Sequence, residues 1–199
     1  QAAPLYLSEI AAAVAGIGGE HPKAIRDRAL LLVGWWGAFR RSELVGIDLD
    51  HSEVDHPDGI IVTLPKSKTD QTWQGRQIPL HYRNDDTCPV RALRAWLEVA
   101  GASGPVFVQI RKGNRLLAGE RLGAVKVSVL VKEAATQLGL DPAVYSAHSL
   151  RAGFVSECDR RRIPTAAVRA VTGHTSEQML SNYARPGQLF DNRSEEHTS

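Results

Sequence analysis

Apolar residues recur along this chain with two different periods, and the switches between them divide it into helical and extended stretches. Residues 7–17, LSEIAAAVAGI, carry a helical repeat, with Ser8 predicted as the cap. In residues 21–39, HPKAIRDRALLLVGWWGAF, the positions Ile25, Ala29, Leu32, Val33 and Trp36 share helical spacing and predict a long core helix. A short helical turn is expected to start near Arg40.

The middle of the chain changes character. LVGIDLDHSEV (44–54), GIIVTLP (59–65) and GRQIPL (75–80) are short, rich in β-branched residues and separated by turn formers such as HPDG. They predict three short antiparallel strands, the second and third joined by the polar loop KSKTDQTWQ (66–74). CPVRALRAWLEVAG (88–101) predicts a helix with proline at its start and glycine after its end. Residues 105–122 predict a brief hairpin with KGN at its tip, and residues 124–140 a helix. SLRAGFVSECDRRR, PTAAVRAVTGH and SEQMLSNYA predict three short helices in succession. The expected fold class is mainly α, with a small three-stranded antiparallel sheet on one side.

Composition narrows the picture. The chain has 199 residues, one domain's worth, and 43% hydrophobic residues, ordinary for a globular protein with a sizeable core. No apolar run approaches the roughly 20 residues of a membrane span, and no signal-peptide pattern opens the chain. Two cysteines, Cys88 and Cys158, form neither a disulfide framework nor a zinc-ligand pattern, and reduced thiols in a cytoplasmic protein are expected. Net charge is only +2, which uniform solvation explains as easily as a polyanion partner does. The distribution is more telling than the sum, with basic residues clustered at Lys23, Arg26 and Arg28, at Arg40 and Arg41, at Lys66 and Lys68, and at Arg160–Arg162.

Candidate chemistry lies in polar residues set beside apolar ones. GAFRRSELVGI places Arg40 and Arg41 directly after an apolar helix, with Glu43 within a turn. HSLR gives His148 and Arg151, and TGHTSEQMLSNY gives His174 with Tyr183 nine residues on. Each has a plain structural explanation. Arg40 can pair with Glu43 at i,i+3, the lysines can be solvated loop charges, and His148 can cap the helix beginning near Ser149. Reading the histidines as metal ligands finds no cysteine or carboxylate at supporting spacing.

The conjunction is more specific than its parts. In order, Arg-x-x-Glu, a loop lysine, His-x-x-Arg, Gly-His and a tyrosine resemble the catalytic domain of the tyrosine recombinases, or phage integrases, from about Leu5 to Phe190. FRRSELVGI is similar to the family's first-arginine motif and its register selects Arg40 over Arg41; HSLRAGF and TGHTSEQMLSNYARP resemble its second and third boxes.

That resemblance implies catalytic roles for Arg40, Lys68, His148, Arg151, His174 and Tyr183, with Lys68 preferred to Lys66 as general acid. It implies that Glu43 orients Arg40 or His148 and that Arg41, Lys66 and Arg76 contact DNA. It implies no metal and no cofactor. The chemistry would be site-specific cleavage and rejoining of double-stranded DNA through a covalent 3′-phosphotyrosyl intermediate. A type IB topoisomerase and a non-catalytic DNA-binding module of the same fold are the alternatives.

Residues 1–190 are expected to be the catalytic domain without its N-terminal clamp domain, and 191–199 a tail. The last seven residues, RSEEHTS, also read as a translation of AGATCGGAAGAGCACACGTCT, which resembles a sequencing adapter. They are expected to be non-native, and with Gln1 at the start they suggest a fragment. The full-length parent is expected to be a homotetramer on DNA, the fragment a monomer.

Overall fold

The computed structural model describes residues 2–64, 76–101 and 103–173. The loop at 66–74, the segment SEQMLSNYA and the tail lie outside these residues.

Helix α1, Leu7–Gly16, begins two residues before where the sequence suggests. Tyr6, not Ser8, is the residue before the helix, and its backbone N–H donates to the Glu9 carboxylate at 2.7 Å. Glu9 three residues on is the better partner for that orphan donor, so Ser8 falls inside the first turn. Helix α2, Pro22–Trp36, starts with proline at its first position, while His21 Nδ1 accepts from the Ala24 N–H at 3.2 Å. Residues Ala29–Trp35 are buried all round, making α2 the central post of the core.

The end of α2 sets the direction of the next helix. The Ala38 N–H donates to the Trp35 carbonyl and the Phe39 N–H to the Gly34 carbonyl, at 3.1 and 3.3 Å. This is a Schellman closure with alanine, φ 47°, at the position that usually takes glycine. Phe39 folds back over Gly37, where a Cβ would meet its ring at 2.0 Å. The chain turns sharply and delivers Arg40 to the head of α3, Arg41–Gly46.

The first segment predicted as a strand is therefore not one. Leu44 and Val45 reach the core from α3, and a 3-10 turn at Leu49–His51 comes next. The Asp48 carboxylate accepts from the Asp50 N–H, closing a local turn in place of an extended run. Among the described residues only two isolated bridges, Asp48 with Pro105 and Glu53 with Ile61, remain of that segment's expected pairing. The sheet is instead two antiparallel hairpins. In one, β1 (Gly59–Leu64) pairs with β2 (Arg76–His81), Leu64 opposite Arg76. Ile60, Val62, Leu64, Ile78 and Leu80 alternate into the core. In the other, β3 (Val108–Arg111) pairs with β4 (Arg115–Arg121) around the predicted tip, whose Gly113 and Asn114 take positive φ.

Between the hairpins, α4 (Pro89–Ala100) packs along α2 and buries Trp96, whose indole N–H donates to the Val106 carbonyl at 2.7 Å. Helix α5 (Ala124–Gln137) leads to α6 (His148–Arg160), which lies against α2, and α7 (Thr165–Thr172) packs on α6. The contact of α6 with α2 is close. A Cβ on Gly34 would meet Leu150 at 2.8 Å, and one on Gly153 would meet the Leu5 carbonyl oxygen at 1.6 Å. Among the described residues no helix is long and apolar enough to cross a membrane.

Candidate active site

Three chain segments far apart in sequence meet where α2 ends, α6 begins and α7 ends. Arg151 lies one turn into α6 and is 1% exposed. Its Nη1 donates to the Ala38 carbonyl and its Nη2 to the Thr172 carbonyl, both at 2.7 Å. The fork of one guanidinium thus ties the α2 turn to the end of α7. Thr172 is itself buried, its hydroxyl donating to the Val168 carbonyl at 2.8 Å.

His148 is the first residue of α6, and its backbone N–H donates to Ser146 Oγ at 3.3 Å. The residue has an exposed face, yet the protein around the ring desolvates it and pushes its pKa below the usual histidine value. The positive charges of Arg151 and then Arg40 push the same way. The α3 arginine and the α6 arginine therefore act on one imidazole.

Arg40 caps α3. Its backbone N–H donates to Glu43 Oε2 and its Nη1 to Glu43 Oε1, both at 2.7 Å. The i,i+3 pair anticipated from sequence is present, and Glu43 backs Arg40 rather than His148. The Arg40 side chain remains 47% exposed, so the carboxylate holds its backbone N–H and one guanidinium nitrogen while the rest of the side chain stays half open to solvent. Glu43 Oε2 also accepts from Arg76 Nη2 at 3.1 Å. Arg41 is exposed beside Arg40 on the first turn of α3.

Of the site residues expected from sequence, Arg40, Glu43, Arg76, His148 and Arg151 are brought together, and Arg41 lies beside them. Lys66, Lys68, His174 and Tyr183 lie outside the described residues. Two residues were not singled out from sequence, Ala38 and Thr172, whose carbonyls hold Arg151; Gly173, read there as part of the Gly-His motif, ends α7 with φ 64°. A glycine after a helical repeat is a readable stop signal, but acceptance by a backbone carbonyl leaves no trace in residue type. A cavity of about 550 Å³ lies elsewhere, between α2, α5 and the β3–β4 hairpin, and none of the site residues line it.

Comparison with known proteins places this geometry. Relatives include an "Integrase/recombinase xerD homolog" of Selenomonas ruminantium, 36% identical over 173 residues, covering 86% of this chain and 50% of that protein. A "Tyrosine recombinase XerC" of Alcanivorax borkumensis is 28% identical over 163 residues, covering 80% and 48%. The chain thus spans about half the length of these relatives. Among solved structures, the XerH site-specific recombinase bound to palindromic difH substrate matches with TM-score 0.68 and 17% identity, over 91% of this chain and 49% of that one. The XerA recombinase matches with TM-score 0.67 and 18% identity, over 92% and 59%. These two share the fold. Residues 6–188 match the phage integrase family, and with the Arg40, His148 and Arg151 positions assembled from distant segments, this chain belongs to that family.

Proposed function

We propose that this chain is the catalytic part of a site-specific DNA recombinase, which breaks and rejoins strands of double-stranded DNA without a metal or cofactor. The convergence of the Arg40 and Arg151 charges on His148 carries this reading. When a phosphodiester exchanges one oxygen ligand for another, negative charge spreads over its non-bridging oxygens, and fixed cationic donors at that point lower the barrier. Arg151, held by two carbonyls, and Arg40, held through its backbone N–H and Nη1 by Glu43, are such donors.

In the proposed reaction the Tyr183 phenol oxygen attacks the scissile phosphorus and gives its proton to His148. A ring kept neutral at physiological pH is a base ready for that task. The bond from phosphorus to the 5′ oxygen breaks, and Lys68 protonates that leaving oxygen. His174 donates to a non-bridging oxygen. The product is a 3′-phosphotyrosine and a free 5′-hydroxyl. Attack by the 5′-hydroxyl of a second strand reverses each step, so rejoining needs no external energy source. Arg41 and Lys66 would contact flanking phosphates, making affinity salt-dependent. The longer parent would act as a cytoplasmic homotetramer on two DNA sites, and this chain alone as a monomer that binds DNA weakly.

The test is a nicked suicide duplex that traps the cleaved state. A covalent protein–DNA adduct should form in the presence of EDTA and disappear in Tyr183→Phe. A chelator-sensitive reaction, or binding without any adduct from a chain that also carries the clamp domain, would refute the proposal.

A further inference from the structure

The exit from α7 is held by two guanidiniums. Arg151 bonds the Thr172 carbonyl from α6, and Arg76 reaches the next residue from β2. A Cβ added to Gly173 would lie 1.9 Å from Arg76 Nη1, so the guanidinium rests against the bare α-carbon. Its Nη2 donates to Glu43 Oε2, the same oxygen that accepts the Arg40 backbone N–H. One chain of contacts therefore runs from Arg40 through Glu43 and Arg76 to Gly173.

This guanidinium has given up water for that place. The Arg76 side chain is only 21% exposed, and its Nε is buried without a hydrogen-bond partner among the described residues. Burial pushes its pKa below the usual arginine value, against the opposing pull of Glu43. A half-desolvated guanidinium with an unmet donor persists where the contacts around it fix it, as those with Glu43 and Gly173 do here.

We propose that Arg76, expected from sequence to contact DNA, is instead a positioning residue for strand cleavage. By bridging Glu43 and Gly173 it sets where Arg40 stands relative to the α7 exit, from which the chain runs on to His174. The role in cleavage rests on the recombinase reading; the bridge itself does not.

Arg76→Ala and Arg76→Lys, compared with the unmodified chain, test it in two ways. The first is the rate of adduct formation on the suicide duplex as DNA concentration is raised. Arg76→Ala should lower the saturating rate by ~10²-fold, the effect of misplacing a catalytic group by about an ångström, while half-saturation moves less than about twofold. Arg76→Lys, which keeps the charge and loses the fork, should recover part of that rate. A raised half-saturation and a shallower salt dependence, with the saturating rate intact, would make Arg76 a phosphate contact and overturn the proposal.

The second is amide hydrogen exchange without DNA. The Arg40 and Gly173 amides, which donate to Glu43 and to the Arg169 carbonyl, should exchange faster together in Arg76→Ala. The amide of Gly101, at the end of α4, should not change. Unchanged exchange at Arg40 and Gly173 overturns the bridge whatever the rate does. Should the alanine variant fail to fold, Arg76→Lys serves both measurements. If a chain that also carries the clamp domain, with Arg76 intact, forms no adduct at any DNA concentration, the recombinase reading fails and takes the role in cleavage with it. The exchange rates then still decide the bridge.

Discussion

Gly153→Ala sets two physical effects against each other. Gly153 lies inside α6, two residues after Arg151. Helix propensity alone predicts that alanine stabilises the chain by about 1 kcal/mol. The structure predicts the opposite. The new Cβ would stand 1.6 Å from the Leu5 carbonyl oxygen and 2.9 Å from Trp35 Nε1, and the nearest obstacle is backbone, which cannot swing aside like a side chain. The segment at Leu5 must retreat by about 2 Å to restore an ordinary contact. It is held by the Leu5 N–H to the Ser149 carbonyl at 3.0 Å and by the Trp35 indole to the Leu5 carbonyl at 2.9 Å. Losing both costs about 1 kcal/mol each, and a buried indole N–H left unpaired adds about 1–3 kcal/mol. Leu5, 0% exposed, also loses part of a burial worth about 1.5–3 kcal/mol. Against the propensity gain, the hydrogen-bond losses alone leave a net loss of about 2–4 kcal/mol, and the exposed part of Leu5 adds to it. Equilibrium urea unfolding measures it directly. Combining Gly153→Ala with Trp35→Phe should cost less than the sum of the two, because both remove the same hydrogen bond. A Gly153→Ala chain as stable as its parent, or more so, would refute this account of α6 packing.

The site and its surroundings give three further expected outcomes. The His148 proton titration, followed by NMR, should have its midpoint below the usual value of about 6.5, and Arg40→Gln should raise it by removing one of the charges that depress it. Because the native ring takes its proton less readily than the unfolded one, stability should fall as pH drops from about 6.5 to the native midpoint and lose nothing further from this group below it. Arg151→Lys puts one ammonium where a fork joined two carbonyls; unfolding stability should fall by about 1.5–3 kcal/mol, and single-turnover adduct formation by ~10³-fold. Asp85, bonded by Arg83 and Thr87, has its pKa lowered to about 2, so its small stabilising contribution is present above about 4 and lost as pH falls through about 2. Asp85→Asn should flatten that part of an acid titration of stability.

Much of this architecture is legible in residue order. The apolar run of α2, proline and glycine at the ends of α4, and the KGN hairpin tip each state their structure locally, and the structure agrees. Residues 44–54 misled because Leu44, Val45 and Ile47 suit a strand equally well, and only the turn imposed by Ala38 and Phe39 makes Leu44 and Val45 the inner face of a short helix. At the site, Arg40, His148 and Arg151 are readable because their chemistry fixes residue type. What holds them is less so. The Ala38 and Thr172 carbonyls are backbone atoms, and the Arg76 contact with Gly173 spans nearly a hundred residues, beyond the reach of any periodicity.

The most direct measurement of the proposed chemistry is mass spectrometry of the trapped protein–DNA adduct after proteolysis. A nucleotide 3′-phosphate is expected on the peptide containing Tyr183, formed in EDTA, at a rate that collapses when Arg40 or Arg151 is replaced by alanine. Attachment at any other residue, or an undiminished rate without those arginines, would contradict it.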